Sequence, residues 1–453
     1  MNTHVHLKRY KAGVAGLFMT GAFTGLPILT PVARADIATS DRRLLVDGQP
    51  FLINADTGWT MLTRISDEDA NYYLQIRQQQ GFNTILADLI PAKSETDFYG
   101  QAPFFKNDMT QRNSAYWRRI DRLVQRVASM GMVMVFKPAT TCCDWRNGDE
   151  FNKTSGRDYG EFLGKRYGKY NIVWEHCGDL NPGNKEGAIK AMVAGIRKYA
   201  PKQPHSCHPN SPNSALDVLP NNVVDLNLTY TYYPGKQGAG AEQYHVYERS
   251  RRDYNREPKT PFYLGESQYE SGNIPIQMIR RQAFWSVLSG STGHGYGHEV
   301  VCVNNPGWKE HLFAPGAIDM RHVIKVFRSR NWASLVPDQD HQWVKAGYGT
   351  YNGGTDPGGD NYVTSAYTPD GNLLMAYLPL GGSLTVNLSK FSGSVRVRWF
   401  DPTNGRYTDN GSFNNSGLQS ISSPRTNADG DRDWVLVMET GISQSKLQKL
   451  EEN

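Results

Sequence analysis

The sequence predicts a (β/α)8 TIM barrel followed by a small C-terminal β-sandwich domain, and three observations support this fold class. Apolar strand-like runs alternate with helical segments about eight times before the pattern changes. Asp179 and Glu266 each stand where such a run stops, 266 − 179 = 87 residues apart, and a parallel barrel brings the ends of its strands to one rim. Beyond Val336 the chain reads as short strands separated by glycine and asparagine turns.

The predicted elements follow one another in a regular order. A hairpin with an Asp-Gly turn leads into the barrel, and Ser66 is expected to cap the first helix because its hydroxyl can accept from a free amide. The predicted barrel strands cover residues 50–53, 82–87, 132–138, 171–178, 205–207, 223–228, 262–264 and 293–297. The predicted helices between and after them cover residues 66–80, 113–130, 157–168, 185–199, 241–254, 275–289 and 315–330. The predicted strands of the second domain cover residues 362–367, 373–379, 384–388, 395–400 and 434–438.

The first 35 residues are typical of an export signal. Lys8, Arg9 and Lys11 precede an apolar stretch, and small residues at Ala33 and Ala35 suit signal cleavage. An uncleaved membrane anchor is the alternative, but glycines interrupt the stretch. We expect a signal peptide at 1–35, a catalytic barrel at 36–336 and a β-sandwich at 337–453. The protein should be secreted or periplasmic, without stable membrane insertion after cleavage.

Charge and cysteine content exclude several classes of protein. The chain has 49 Lys and Arg against 44 Asp and Glu and lacks a long basic run, so no nucleic-acid partner is expected. Five cysteines are too few for a disulfide scaffold, and their spacing resembles no zinc site. Cys177 and Cys207 should lie near the ends of neighbouring strands, which makes them the first candidates for a disulfide. A buried free thiol is the alternative for each. The sequence does not indicate an oligomeric state.

The two acidic residues at strand ends are the candidate catalytic pair. By analogy with barrel glycosidases, Asp179 after the fourth strand would be the acid/base and Glu266 after the seventh the nucleophile. Asp179 could instead be a helix cap or turn residue, since Gly-Asp-Leu-Asn-Pro-Gly is also a good loop sequence. Glu175 and Glu270 are local competitors for the two roles. Hydrolysis by paired carboxyl groups needs neither a cofactor nor a metal, so none is expected.

Polar and aromatic side chains at the other predicted strand ends are candidates for substrate binding. Carboxylates and imidazoles bind sugar hydroxyls, and aromatic rings stack on sugar faces. Each of these residues could equally have a structural role. The candidates are Asp56, Trp59, Asp88, Trp145, His208, Tyr230, Tyr233, Glu270, Tyr296 and His298.

Several short motifs in one order give the sequence a family resemblance. They lie at residues 54–59 (Asn-Ala-Asp-Thr-Gly-Trp), 80–83 (Gln-Gly-Phe-Asn), 174–179, 265–270 and 293–297. This series, which extends over residues 40–440, resembles the apiosidase-like glycoside hydrolase family, formerly a domain of unknown function. The resemblance implies a barrel hydrolase that uses Asp179 and Glu266. The tail resembles the small domain with a collagen-binding label that often accompanies this barrel.

The sequence departs from the family pattern at three places. Cys177 stands where a second glycine is usual, residues 85–88 lack a usual glutamine, and residues 229–233 lack a usual final histidine. Characterised relatives release apiose from a complex pectin, but these changes fall on the expected sugar pocket, so we do not assign that sugar.

Three functions compete for the sequence. The first is an exo-acting, retaining glycosidase that acts on a plant or microbial polysaccharide, with carbohydrate as its partner. The second is a barrel that binds carbohydrate without cleaving it, which loss of both carboxylates would have favoured. The third follows the collagen-binding label to a protease, but neither an HExxH motif nor a GxSxG motif is present.

Overall fold

The computed structural model describes residues 36–93, 95–139, 148–231, 246–272, 274–351 and 361–441. All of them belong to one structural unit. The described chain begins with a small antiparallel sheet of three strands, β1 (Ile37–Ser40), β2 (Arg43–Val46) and β3 (Gln49–Pro50). This sheet contains the hairpin that the Asp-Gly turn predicted.

Eight parallel strands follow and form a nearly closed barrel. They are β4 (Ile53–Thr57), β5 (Thr84–Asp88), β6 (Val133–Lys137), β7 (Ile172–His176), β8 (His205–Cys207), β9 (Asn227–Tyr230), β10 (Phe262–Glu266) and β11 (Gly293–Tyr296). Their order in the sheet is β8-β7-β6-β5-β4-β11-β10-β9. The backbone amides of Asp225 and Leu226, just before β9, donate to His205 O in β8 over 2.8 and 3.1 Å and bridge the two ends of this order. The predicted TIM barrel is therefore confirmed.

Helices alternate with the barrel strands. They are α1 (Asp67–Gln79), α2 (Ser114–Ser129), α3 (Lys153–Tyr167), α4 (Glu186–Arg197), α5 (Ala215–Val218), α6 (Val246–Tyr254), α7 (Ile276–Leu288), α8 (Trp308–His311) and α9 (Pro315–Arg328). Ser66 caps α1 as predicted, because its Oγ accepts from Asp69 N over 3.0 Å. Residues 241–245, the start of the fifth predicted helix, lie outside the described residues. Among the described helices, none is both long and apolar enough to cross a membrane.

Within the described residues, nine antiparallel strands form the C-terminal part of the molecule. They are β12 (Val336–Pro337), β13 (Val344–Ala346), β14 (Thr364–Tyr367), β15 (Leu373–Leu378), β16 (Ser383–Asn387), β17 (Val395–Phe400), β18 (Tyr407–Phe413), β19 (Leu418–Ser422) and β20 (Trp434–Thr440). One sheet has the order β12-β14-β15-β20-β17-β18, and the other has the order β13-β16-β19. Buried side chains from both sheets share one apolar core, so the two sheets form a sandwich.

The larger sheet of this β domain is buried on both faces. Leu374 and Leu378 belong to the core between the two sheets, whereas Met375 and Tyr377 belong to the core shared with α7 and α9 of the barrel. Alternate residues of a strand point to opposite faces, which explains why all six residues of β15 are apolar and buried. Helix α7 contributes the buried Arg280, which pairs with Asp433 in β domain loop 423–433 over 2.8 Å. The barrel and the β domain are thus joined by apolar packing and a buried ion pair.

Candidate active site

Three side chains at the C-terminal ends of β7, β8 and β10 meet on the barrel rim. His208 lies at the centre: one of its ring nitrogens, Nε2, is 2.9 Å from Glu266 Oε2 and 3.2 Å from Asp179 Oδ1. A carboxylate oxygen of Asp179, a carboxylate oxygen of Glu266 and a ring nitrogen of His208 all lie within 4.8 Å of one another. The structure therefore brings together Asp179 and Glu266, the two acidic residues that the sequence singled out.

A bulge in β10 turns Glu266 towards this site. Tyr263 reaches Glu175 inside the barrel, so strict two-residue alternation would point Glu266 to the outside. Leu264 pairs with Thr229 and Glu266 pairs with Tyr230, which leaves Gly265 as an extra residue in the strand. The extra residue shifts the alternation by one position, as bulges beside functional sites often do. A side chain at Gly265 would not fit, because an added Cβ would lie 2.4 Å from Leu228 Cδ1.

Asp179 reaches the same site through three successive residues with left-handed backbone. Cys177, Gly178 and Asp179 have φ values of 83°, 72° and 56°. Such values are strained for residues with a Cβ and persist where the surroundings impose them. At Cys177 the surroundings include a disulfide to Cys207, with the two Cα atoms 5.3 Å apart. The bridge that the sequence put forward is present, and it ties the Asp179 loop to the residue that precedes His208.

The carboxylates around His208 determine its charge. Its Nδ1 lies 2.9 Å from Glu175 Oε1, and Glu175 also accepts from the hydroxyl of Tyr263. Burial opposes a charge on the ring, but the contacts with Glu175 and Glu266 outweigh it and raise the pKa of His208 to about 9. Burial would also raise the pKa of both glutamates, yet their contact with His208 lowers it below its ordinary value. At neutral pH this part of the site is a cation between two carboxylates.

His208 and Glu175 both lie beneath the rim, without exposure to solvent. His208 was predicted to bind substrate, but its side chain is completely buried beneath the two rim carboxylates. Glu175 competed with Asp179 in the sequence, and the structure places it in the barrel interior, without exposure. Asp179, with a side chain 48% exposed, is the one of the two that solvent reaches.

Lys137 is a member of the site that sequence reasoning missed. It is the last residue of β6, only 4% exposed, and its Nζ lies 3.6 Å from the centre of the Trp59 ring. Burial disfavours the ammonium, but the charges of Asp179 and Asp88 raise the pKa of Lys137 above its ordinary value. The available signal was a lysine that ends an otherwise apolar strand, at the rim where the other candidates stand.

Trp59 is held in place around its ring. Its Nε1 donates to the Tyr269 hydroxyl over 2.8 Å, and its edge faces the ring of His208 with centroids 5.8 Å apart. Tyr230 makes a closer edge contact with His208, at 4.7 Å. Both aromatic candidates thus lie beside the central histidine.

Three other predicted binding residues make their contacts within the protein. Asp56 is buried, and its Oδ2 pairs with Arg77 Nε over 2.7 Å. Glu270 accepts from the Tyr296 hydroxyl over 2.6 Å and from the Gly316 amide over 3.1 Å. Asp56, Glu270 and Tyr296 are thus buried and bonded to other groups of the protein.

The remaining predicted residues lie in different surroundings. Asp88 ends β5, in register with Lys137 of β6. His298 is mostly buried beside the His311 ring, with centroids 4.6 Å apart, and burial lowers its pKa to about 4. Trp145 and Tyr233 lie outside the described residues.

The spacing of Asp179, His208 and Glu266 would also admit a divalent cation. None was expected from the sequence. Lys137 and the protonated His208 already provide two positive charges beside these carboxylates.

Comparison with known families assigns both parts of the chain to family models. Residues 39–334, which are more than half of the chain, match the family model described as "Apiosidase-like, catalytic domain". The chain belongs to the Apiosidase-like family. Residues 354–439 match the model described as "Putative collagen-binding domain of a collagenase". No curated protein matches the chain. Membership of the Apiosidase-like family makes the protein a glycosidase.

Solved structures share the fold of this Apiosidase-like protein. A glycoside hydrolase family 5 protein from Bacteroides vulgatus ATCC 8482 gives a TM-score of 0.80 at 21% identity, over 91% of this chain and 94% of that one. A structure described as a glycoside hydrolase gives a TM-score of 0.77 at 22% identity, over 90% of this chain and 97% of that one. Both likenesses extend over the barrel and the β domain together.

Proposed function

We propose that this Apiosidase-like protein is a secreted, exo-acting, retaining glycosidase in which Asp179 is the acid/base and Glu266 the nucleophile. One observation carries the proposal: oxygens of the two carboxyl groups and a nitrogen of His208 lie within 4.8 Å of one another. Retaining glycosidases hold their carboxyl groups about 5 to 5.5 Å apart, whereas inverting enzymes need about 6.5 to 9.5 Å to admit a water. The close approach therefore favours retention.

The surroundings of the two carboxyl groups suit different roles. A nucleophile must be ionised, and contact with His208 lowers the pKa of Glu266, whose side chain is only 7% exposed. An acid/base must exchange a proton with water, and Asp179 is exposed. His208 contacts both and would fix their separation.

The reaction follows from these roles in two steps. In the first, a Glu266 oxygen bonds to the anomeric carbon while the bond to the glycosidic oxygen breaks, and Asp179 gives its proton to that leaving oxygen. In the second, water attacks the same carbon, its proton passes to Asp179, and the bond to Glu266 breaks. The sugar leaves with its original anomeric configuration.

The substrate and the location complete the proposal. The depth at which Glu266 is buried suits a chain end better than the middle of a chain, and we infer exo action on a plant or microbial polysaccharide. The basic and apolar pattern of residues 1–35 supports export, which sequencing of the mature N-terminus would test.

The test is sugar release from a panel of pectic, arabinan and bacterial cell-wall polysaccharides. We expect wild type to release one sugar, and Glu266→Gln and Asp179→Asn to lose activity by roughly 10³-fold or more, because each removes a reacting group. Glu310→Gln, on the exposed surface of α8, is the matched control and should act as wild type does.

Two results would contradict the proposal. Full activity in Glu266→Gln would remove the nucleophile, and internal cleavage products would replace exo action by endo action. Binding of the panel without release by any variant would favour the alternative, a barrel that binds carbohydrate without cleaving it.

A further inference from the structure

The ammonium of Lys137 is a buried charge that the two-step reaction does not use. Lysine is rarely buried without a partner, because a charged group that loses water needs hydrogen bonds in exchange. Among the described residues, Lys137 Nζ has neither a hydrogen bond nor an ion pair at contact distance, and it lies over the face of Trp59, 3.6 Å from the ring centre. The part of the chain that the structure describes thus does not use the three N–H donors of this ammonium.

The position in β6 directs this ammonium into the site. Phe136, the preceding residue, contacts the rings of Tyr167 in α3 and Trp174, on the helix side of the barrel. Alternation along the strand then points Lys137 to the barrel interior. Trp59 contacts both Lys137 Nζ, 3.6 Å from its ring centre, and the ring of His208, with centroids 5.8 Å apart, so the ammonium lies beside the proposed catalytic pair.

We propose that Lys137 is a substrate-binding residue that determines specificity: its ammonium donates hydrogen bonds to a hydroxyl group of a neutral sugar held against Glu266. This inference rests on the proposed function. The inference also changes the role expected for Trp59, which was predicted to bind substrate. The ammonium covers one face of the indole, so Trp59 positions Lys137 through a cation–π contact and does not offer that face to the sugar.

The charge balance of the pocket favours a neutral sugar. Asp88, Glu175, Asp179 and Glu266 all act on Lys137 as negative charges. Among the described residues, Lys137 itself and the protonated His208 oppose them. With Asp179 protonated as the acid of the first step, three carboxylates face these two cations, which leaves −3 + 2 = −1. The carboxylate of a uronic acid would add a further negative charge to a buried, negative site, at a large electrostatic cost. A hydroxyl group accepts from Lys137 without this penalty.

Two substitutions at this position separate the donor from the packing. Lys137→Met keeps the stem over Trp59 and removes the donors, whereas Lys137→Arg keeps a cation with a different shape. Lys169→Met is the matched control, because Lys169 also lies over a ring, that of Tyr170 at 5.2 Å, but is exposed at the opposite end of β7. Circular dichroism and the thermal midpoint would verify that each variant folds.

The first measurement is binding of free sugars by calorimetry, which does not depend on turnover. The probes are L-arabinose, D-galactose, D-xylose and D-apiose as neutral sugars, and D-galacturonate and D-glucuronate as acidic ones. We expect wild type to bind a neutral sugar and neither uronate. Lys137→Met should weaken that binding by about ten- to one-hundred-fold, because the loss of a hydrogen bond to a charged group changes the affinity by about this factor. The affinity of Lys137→Arg should lie between those of wild type and Lys137→Met. The affinity of Lys169→Met should equal that of wild type.

The second measurement is the KM and kcat for the polysaccharide that wild type cleaves. Lys137→Met should raise KM by a similar factor. Equal binding and equal KM in wild type and Lys137→Met would overturn the inference while the glycosidase assignment stands. Preferential binding of a uronate, or binding of none of the six sugars, would also overturn it. Lys137-dependent binding of a neutral sugar without cleavage of any polymer would support the inference and refute the proposed retaining exo-glycosidase.

Discussion

The barrel rim and the contact between the barrel and the β domain both bury charged side chains, and they differ in how far hydrogen bonds satisfy these charges. At the contact, Arg280 donates to Asp433 over 2.9 and 2.8 Å, to Asp319 over 2.8 Å and to Asp431 over 2.6 Å. At the rim, Lys137 Nζ has no hydrogen bond or ion pair within the described residues and lies over the face of Trp59, 3.6 Å from the ring centre. Charges that are fully paired hold two domains together, and a charge without hydrogen bonds remains available to a ligand.

The largest effect is expected at the domain contact. Arg280→Met leaves three aspartates without their shared cation, two of them buried, and should lower the free energy of unfolding by about 3–5 kcal/mol. Urea titration of the full chain measures it. Arg396→Met, which breaks the exposed pair with Asp409, is the control and should cost less than about 1 kcal/mol. Equal effects of the two substitutions would mean that the contact does not depend on its buried charge.

The next effect concerns the rim and its disulfide. Cys177→Ala with Cys207→Ala removes a disulfide between residues 30 positions apart. Without it the unfolded chain gains conformational entropy, so the free energy of unfolding should fall by about 3 kcal/mol. The substitution should also lower kcat, because it releases the backbone that presents Asp179. Cys302→Ala, at a buried free thiol, is the control for loss of a sulfur atom. Unchanged kcat in the double variant would show that the bridge supports only the fold.

The smallest effect is the pH dependence that His208 gives to the rim. Because the folded state raises the pKa of His208 from 6.5 to about 9, its contribution to stability is complete below pH 6.5 and is lost as the pH rises through 9. Between pH 7 and pH 9 the free energy of unfolding should fall by about 2 kcal/mol from this group. Urea titrations at both pH values test this, with His208→Asn as the comparison. The same pH slope in both proteins would show that His208 is not the cation.

The barrel could be predicted from the sequence because its strands are apolar where helices cover them. The predicted strand 132–138 became β6 with a difference of one residue at each end. The first barrel strand was predicted at 50–53 but lies at Ile53–Thr57, since its rim half is polar. The sixth was predicted at 223–228 but is Asn227–Tyr230, because Val223 and Val224 are buried in a turn. A run of apolar residues therefore does not predict the strand boundaries where a strand contributes polar residues to the site.

The β domain gives the complementary result. Strands β15 and β20 were predicted because both of their faces are buried. Strands β18 and β19 were missed because they lie at the outer edges of their sheets and most of their residues are not buried. Polar edge strands have no apolar run and no complete alternation for a sequence pattern to detect.

The proximity of Asp179 and Glu266 was predicted because each follows a strand. The backbone features that bring the two side chains together were not predicted. The bulge at Gly265 and the left-handed turn at residues 177–179 are local backbone features without a period. The charge on His208 depends on Glu175 and Glu266, which lie 33 and 58 residues away in the chain. Such contacts exist only in the folded barrel.

The most direct test of the account is to trap the sugar on its nucleophile. Wild type would be incubated with an activated 2-deoxy-2-fluoro glycoside of the sugar that it releases, and the digested protein would be examined by tandem mass spectrometry. The account predicts one added glycosyl group, attached to Glu266, and no adduct in Glu266→Gln. An adduct on Glu175, Glu270 or Asp179, or turnover with inversion and no adduct at all, would contradict it.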